Sequence, residues 1–105
     1  NVTVDFFDKL EKHTSILTSD KAEINESSNN MKAIGNVKVL SDSGITLYSE
    51  TLIWNSREEK LLTKDDIMIT TLELDTLYGI GFESDPDLKN WKILKPSGVT
   101  GQEFR

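Results

Sequence analysis

The chain has 105 residues, no cysteine, and 12 Lys plus Arg against 18 Asp plus Glu, a net charge of −6. That length supplies one hydrophobic core and no second one, so a single domain over residues 1–105 is expected. The missing thiols exclude disulfides and Cys-based zinc sites, and the acidic balance argues against a nucleic-acid partner.

Val, Ile and Thr together number 24 and Ala only 2. β-branched side chains suit a pleated surface and Ala suits a helix, so the composition predicts a mostly β protein. No apolar run approaches the 18 or so residues that cross a membrane as a helix. The first residue is Asn1 and a strand pattern follows at once, which leads us to expect a leader or anchor upstream.

The first predicted strand is marked by the alternation of Val2, Val4 and Phe6. Phe7 to Lys12 then reads as one helical turn or as a hairpin loop. A repeat follows. Leu17-Thr18-Ser19-Asp20-Lys21-Ala22-Glu23-Ile24-Asn25 aligns with Leu47-Tyr48-Ser49-Glu50-Thr51-Leu52-Ile53-Trp54-Asn55 at an offset of 30. Each unit is a predicted hairpin. Its loop is Asn25–Asn30 in one copy and Asn55–Lys60 in the next, where Asn and Ser bond their own backbone. The returning limbs alternate with period two, as Met31, Ala33, Val37, Val39 and as Leu61, Thr63, Ile67, Ile69. A third copy starts at Leu77-Tyr78-Gly79 and then departs from the pattern.

The outgoing limbs change phase. Leu17 and Ser19 have one parity, Ala22 and Ile24 the other, and Leu47, Ser49, Leu52 and Trp54 repeat the switch. One extra residue near Asp20-Lys21 and near Glu50-Thr51 would bring all four side chains to one face, so β-bulges are expected there. Gly79-Ile80-Gly81 lacks the third Gly and the following helix of a phosphate loop; it marks a bulge or a close backbone approach. Trp91 to Leu94 predicts a closing strand stopped by Pro96. Ser97 to Arg105 reads as a loose tail or as an edge strand broken by glycines. Stacked hairpins with one apolar face each must cover that face, which implies a twisted antiparallel sandwich or a folded-over, open jelly roll.

Catalytic chemistry is not visible. His13 is the one imidazole and reads as a solvated surface residue without partners. Asp85-Pro86-Asp87 beside Glu83 lacks calcium-loop spacing and reads as a turn. Arg57-Glu58-Glu59-Lys60 and Lys64-Asp65-Asp66 read as solvated loop charges. The expectation is a protein that is not an enzyme and needs no cofactor or metal. The notable feature is an apolar set, Val37, Val39, Leu47, Leu52, Trp54, Ile67, Ile69, Leu77 and Phe82, aimed at one interior. That interior is either a filled core or a groove for lipid.

Val2-Thr3-Val4-Asp5-Phe6-Phe7-Asp8 and Thr14 to Ala22 resemble the opening of the LptC family, within the OstA/LptA-like superfamily. Gly35-Asn36-Val37-Lys38-Val39 is similar to its G-N-V-x-V strand, which LptA proteins share. Gly79 to Trp91 is similar to its closing G-x-G segment, and the likeness extends to Ile93. The resemblance implies an open β-jelly roll in the periplasm, tethered to the bacterial inner membrane by one N-terminal helix. It implies that the nine apolar residues shelter the acyl chains of lipopolysaccharide. The lipid would come from the β-domain of an ABC transporter and leave to an LptA-like bridge. Both joints would be strand addition, with Val2, Val4 and Phe6 at the donor-side edge and Trp91 and Ile93 at the acceptor-side edge. Pairing of like edges into a homodimer, a soluble LptA-like bridge, and a lipid-free adaptor are the alternatives.

Overall fold

The β-branched runs and the Asn- and Ser-rich turns between them produce strands from end to end. The computed structural model describes residues 1–73 and 75–100, of which 96–100 by their backbone alone. In chain order the strands are β1 (Val2–Phe7), β2 (His13–Ser19), β3 (Lys21–Asn25), β4 (Asn30–Ser41), β5 (Thr46–Asn55), β6 (Lys60–Thr70), β7 (Thr76–Ser84) and β8 (Trp91–Thr100). They form one open sheet in the order β1-β2-β4-β5-β6-β7-β8; β1 and β8 end this path, and β3, paired only with β4, is a further edge. Every pairing is antiparallel. The long strand β4 pairs with β3 along its first half and with β2 along its second. Among the described residues no helix is long and apolar enough to cross a membrane.

A line of irregularities crosses the sheet at mid-strand. The phase reversals fall where expected, at Asp20 and at Glu50–Thr51, but the extra residues sit on the partner strands. On β4, Ile34 to Val37 faces the shorter stretch Thr51 to Ser49, so Gly35–Asn36 is the bulge. On β6 the extra residue lies at Lys64–Asp65, and on β8 between Pro96 and Val99. The reason is conformational. Gly35 and Asn36 take φ of 85° and 49°, a region open to Gly and tolerated by Asn. A Cβ on Gly35 would also lie 2.8 Å from Asp20 Oδ2. The Ser19 hydroxyl donates to Lys21 O (2.8 Å) and the Ser49 hydroxyl to Thr51 O (2.7 Å), the same bond in both repeats.

At that line the sheet folds onto itself. Phe6 and Trp54 would be more than roughly 30 Å apart on a flat sheet. Their ring centroids are 4.9 Å apart, edge to face. The Ser15 hydroxyl likewise reaches Pro86 O at 2.5 Å, from β2 to the β7–β8 loop. The two half-sheets enclose one core that includes Leu17, Ala33, Val39, Leu47, Leu52, Leu61, Ile69 and Phe82. The fold is therefore an all-β, antiparallel, open sheet with jelly-roll character, as expected.

Four sequence expectations are corrected. First, Ile24 shares the inward row Ile24-Met31-Trp54-Leu61-Ser84-Trp91, yet it is 68% exposed, because it ends that row on β3 with nothing across from it. Second, the third copy does not lapse: Asp85 N donates to Asn90 O, the spacing that Asn25–Asn30 and Asn55–Lys60 have. Third, Pro96 does not end β8, since an edge strand with a bulge tolerates a residue that lacks the N–H, and the strand runs to Thr100. Residues Gly101–Arg105 of the expected tail lie outside the described residues. Fourth, Lys64-Asp65-Asp66 is strand, at the β6 bulge, not loop; Thr51 Oγ1 donates to Asp65 Oδ2. Phe7 to Lys12 resolves as a hairpin loop in which Asp8 Oδ1 accepts from Leu10 N and Lys12 N. Gly81 takes φ of 84° opposite the β6 bulge, and a Cβ there would lie 3.0 Å from Leu94 Cβ, so the close approach is to a side chain of β8 and not to a backbone.

His13 has partners that the sequence did not reveal. Its Nε2 lies 2.8 Å from Asp5 Oδ1 on β1, and its Nδ1 2.9 Å from Asp42 Oδ1 in the β4–β5 turn. Hydrogen bonding to Asp42 and then to Asp5 raises its pKa above the ordinary 6.5, against a smaller opposing effect of desolvation. A raised folded-state pKa means stabilisation that is full below about 6.5 and lost as pH rises through the folded value. The urea midpoint is expected to fall between about pH 6 and about pH 8, and Asp42→Asn to flatten that dependence. For the core, Leu52→Ala is expected to cost about 2–5 kcal/mol in urea unfolding. Its exposed neighbour Ile53, on the outer face, is expected to cost less than about 1 kcal/mol when changed to Ala.

Candidate functional site: an apolar interior with an acidic mouth

Strand parity and the bulge line together decide what the interior contains. Across the first half-sheet one inward row runs Val4-Leu17-Val39-Leu47-Ile69-Leu77 from strand to strand. Beside it lie Val37, Ser49, Ile67 and Gly79. Across the second half-sheet lie Ala33 and Leu52 in one pair and Thr63, Phe82 and Ile93 in another row. All nine residues expected at the interior are there. Val37, Val39, Leu47, Leu52, Ile67, Ile69 and Phe82 are buried, and Trp54 and Leu77 are half-buried. The first seven are at most 4% exposed, so in this state the interior is filled rather than open.

Further core residues were not among those nine. Leu17 and Leu61 are fully buried. Both were legible, since Leu17 aligns with Leu47 and Leu61 with Met31 in the repeat. Leu88 is also fully buried, from within the β7–β8 loop. Nothing in Asp85-Pro86-Asp87-Leu88-Lys89-Asn90 signals this, because the aligned residues Ser28 and Glu58 are polar and exposed. Of the expected edge residues, Val2, Val4 and Phe6 lie on edge β1, and Trp91 and Ile93 on edge β8. Phe6 itself turns inward to Trp54, and Trp91 stacks on Phe82 with centroids 6.4 Å apart.

Opposite the fold line the half-sheets part in a cleft of about 490 Å³. Phe6, Phe7, Asp8, Lys9 and Thr14 line one lip; Trp54, the Glu58–Lys60 turn and Asp85–Asp87 line the other. Its floor is aromatic and its rim mostly acidic. The Lys60 ammonium lies 2.8 Å from Asp85 Oδ1. That contact, followed by the Asn90 amide, holds the Asp85 carboxyl below its usual range, and the same contact with Asp85 raises the pKa of the Lys60 ammonium. Both side chains are about one-third exposed, so this exposed pair contributes little to stability and mainly orients the loop.

The set is apolar with a polar rim, and His13 stands outside it, bound to Asp5 and Asp42. Its chemistry is burial of apolar matter, with no nucleophile and base brought together in the cleft. Compared with known proteins, the chain matches no curated protein at a significant level. It matches over residues 1–101 the family model described as lipopolysaccharide-assembly, LptC-related. The chain therefore belongs to the LptC family, a component of lipopolysaccharide transport and not an enzyme family.

Proposed function

We propose that this domain shelters the acyl chains of lipopolysaccharide between its half-sheets while the lipid crosses the periplasm. In this reading it receives the lipid from the β-domain of an inner-membrane ABC transporter at β1. It passes the lipid to an LptA-like bridge at β8. The domain lies in the periplasm, tethered to the inner membrane. The observation that carries the proposal is the row Val4-Leu17-Val39-Leu47-Ile69-Leu77, which runs apolar from β1 to the strand beside β8. A sheet added at either free edge would lengthen that row, and edge N–H and C=O groups are available for such pairing.

The energetics suit a carrier without chemistry. Each methylene removed from water contributes about 0.8 kcal/mol. A lined trough lowers the barrier to moving a greasy chain and needs no covalent step. The filled interior supports a second reading, a closed adaptor that joins partners by its edges and takes no lipid.

One experiment separates them. Photo-reactive residues at half-buried Trp54 and Leu77 are expected to give lipopolysaccharide adducts well above those at exposed Glu73, which does not line the cleft. Adducts of equal strength at all three would overturn the carrier reading and leave the adaptor.

A further inference from the structure

Seven of the nine apolar positions are at most 4% exposed, so a lipid that reaches them must displace something. Among the described residues, the most deeply buried side chain not held in a strand is Leu88. It is fully buried although its neighbours Pro86, Asp87 and Lys89 are not. Its backbone takes φ of 58°, uncommon for a branched apolar residue and tolerated where the surroundings enforce it. Its counterparts in the other two loops, Ser28 and Glu58, are exposed, and the positive φ there falls on Asn29 and Glu59 instead.

The loop that carries Leu88 is held by local bonds and not by a strand ladder: the Ser84 hydroxyl donates to Asp85 O, Lys89 N to Asp87 Oδ1 and the Asn90 amide to Asp85 Oδ2. Leu88 N donates to Asp85 O (3.0 Å) and Asp85 N to Asn90 O (3.4 Å). Outside the loop, Lys60 pairs with Asp85 and the Ser15 hydroxyl donates to Pro86 O. The last bond spans the two half-sheets, and the cleft lined by Phe6, Trp54, Asp85 and Pro86 lies beside it. Strand residues of the core, Phe6 on edge β1 apart, are by contrast fixed by the ladder on both sides. Local opening draws first on segments that lie outside the ladder, as this loop does.

We propose that Leu88 is a built-in occupant of the acyl site: the β7–β8 loop closes the interior with this side chain, and an incoming acyl chain displaces it at the mouth between Ser15 and Pro86. The inference rests on the carrier reading above. It adds which residue yields and where the chain enters.

The chain has no cysteine, so Leu88→Cys carries a single thiol. That thiol and the one in Leu52→Cys, a core position in β5, are titrated with a water-soluble maleimide before and after purified lipopolysaccharide is added. Binding is monitored separately by the Trp54 and Leu77 adducts. With lipid bound, labelling at position 88 is expected to rise about tenfold or more while position 52 stays protected. In the native chain the Leu88 amide is expected to exchange its hydrogen faster, a readout that holds if Leu88→Cys fails to fold. Bound lipid with an unchanged position 88 and unchanged exchange would overturn the inference and leave the carrier reading intact. Labelling of both positions would mean opening of the whole sandwich and would overturn it too. Absence of adducts would remove the carrier reading, and this inference with it.

Discussion

The structure depends on a line of bulges that folds a single sheet. An unbent antiparallel sheet of these strands would leave its inward rows in water, and among the described residues there is no helix to cover them. The bend lets one half-sheet cover the other, so the same strands supply both faces of the core. The cost is an extra residue on each of β4, β6 and β8 that cannot follow the pleat. Gly35 and Asn36 meet it by adopting positive φ. The compensating bond of Ser19 or Ser49 to a carbonyl two residues on satisfies an acceptor in a strand that reverses its phase. In the third copy Gly79 stands at the serine position, and the bend there relies on Gly81 and the bulge on β8 instead.

Bulge and phase reversal alternate along the sheet. β4, β6 and β8 carry the extra residue; β2–β3, β5 and β7 switch the face they turn inward. Either device alone would send half of each strand to the wrong side, because the side-chain period is two. Together they keep Leu47 and Leu52 of β5, and Gly79 and Phe82 of β7, in one interior. This explains why a repeat of 30 residues persists in the chain although its loops differ in character. The repeat unit is a bent hairpin, and its spacing fixes where the bend falls.

Much of this was legible because it is periodic. Parity identified Val37, Val39, Ile67 and Ile69, and the repeat placed the phase switch within a residue of Asp20 and Glu50. The strand that would carry the bulge was not legible. Bulge placement is a comparison of two strands, and a single limb shows only its own phase. Ile24 has the right parity and the wrong burial for a related reason: position in the sheet, not pattern, decides whether a row's last member is covered. His13 found Asp5 and Asp42 through the hairpin of β1 and β2 and the β4–β5 turn, contacts of tertiary origin. Leu88 is the clearest case. A lone apolar residue in a polar loop carries no periodicity, so its burial follows only from where the third hairpin tip lies.

The acidic mouth bears on what such an interior can accept. Asp8, Glu58, Glu59, Asp85 and Asp87 line the cleft with Lys9 and Lys60 as the basic partners. A phosphate-bearing headgroup gains little there, since Lys60 is already paired with Asp85. Exposed charges of this kind act over about one Debye length, ~10 Å at ordinary ionic strength. The apolar term is larger and of shorter range: each methylene drawn past the rim adds ~0.8 kcal/mol whatever the rim's charge. In the carrier reading proposed above, selection would therefore fall on the apolar part of the lipid, with the charged part held outward by repulsion. Such a carrier would grip the chains and leave the headgroup in water, which would keep the lipid oriented for release at the opposite edge.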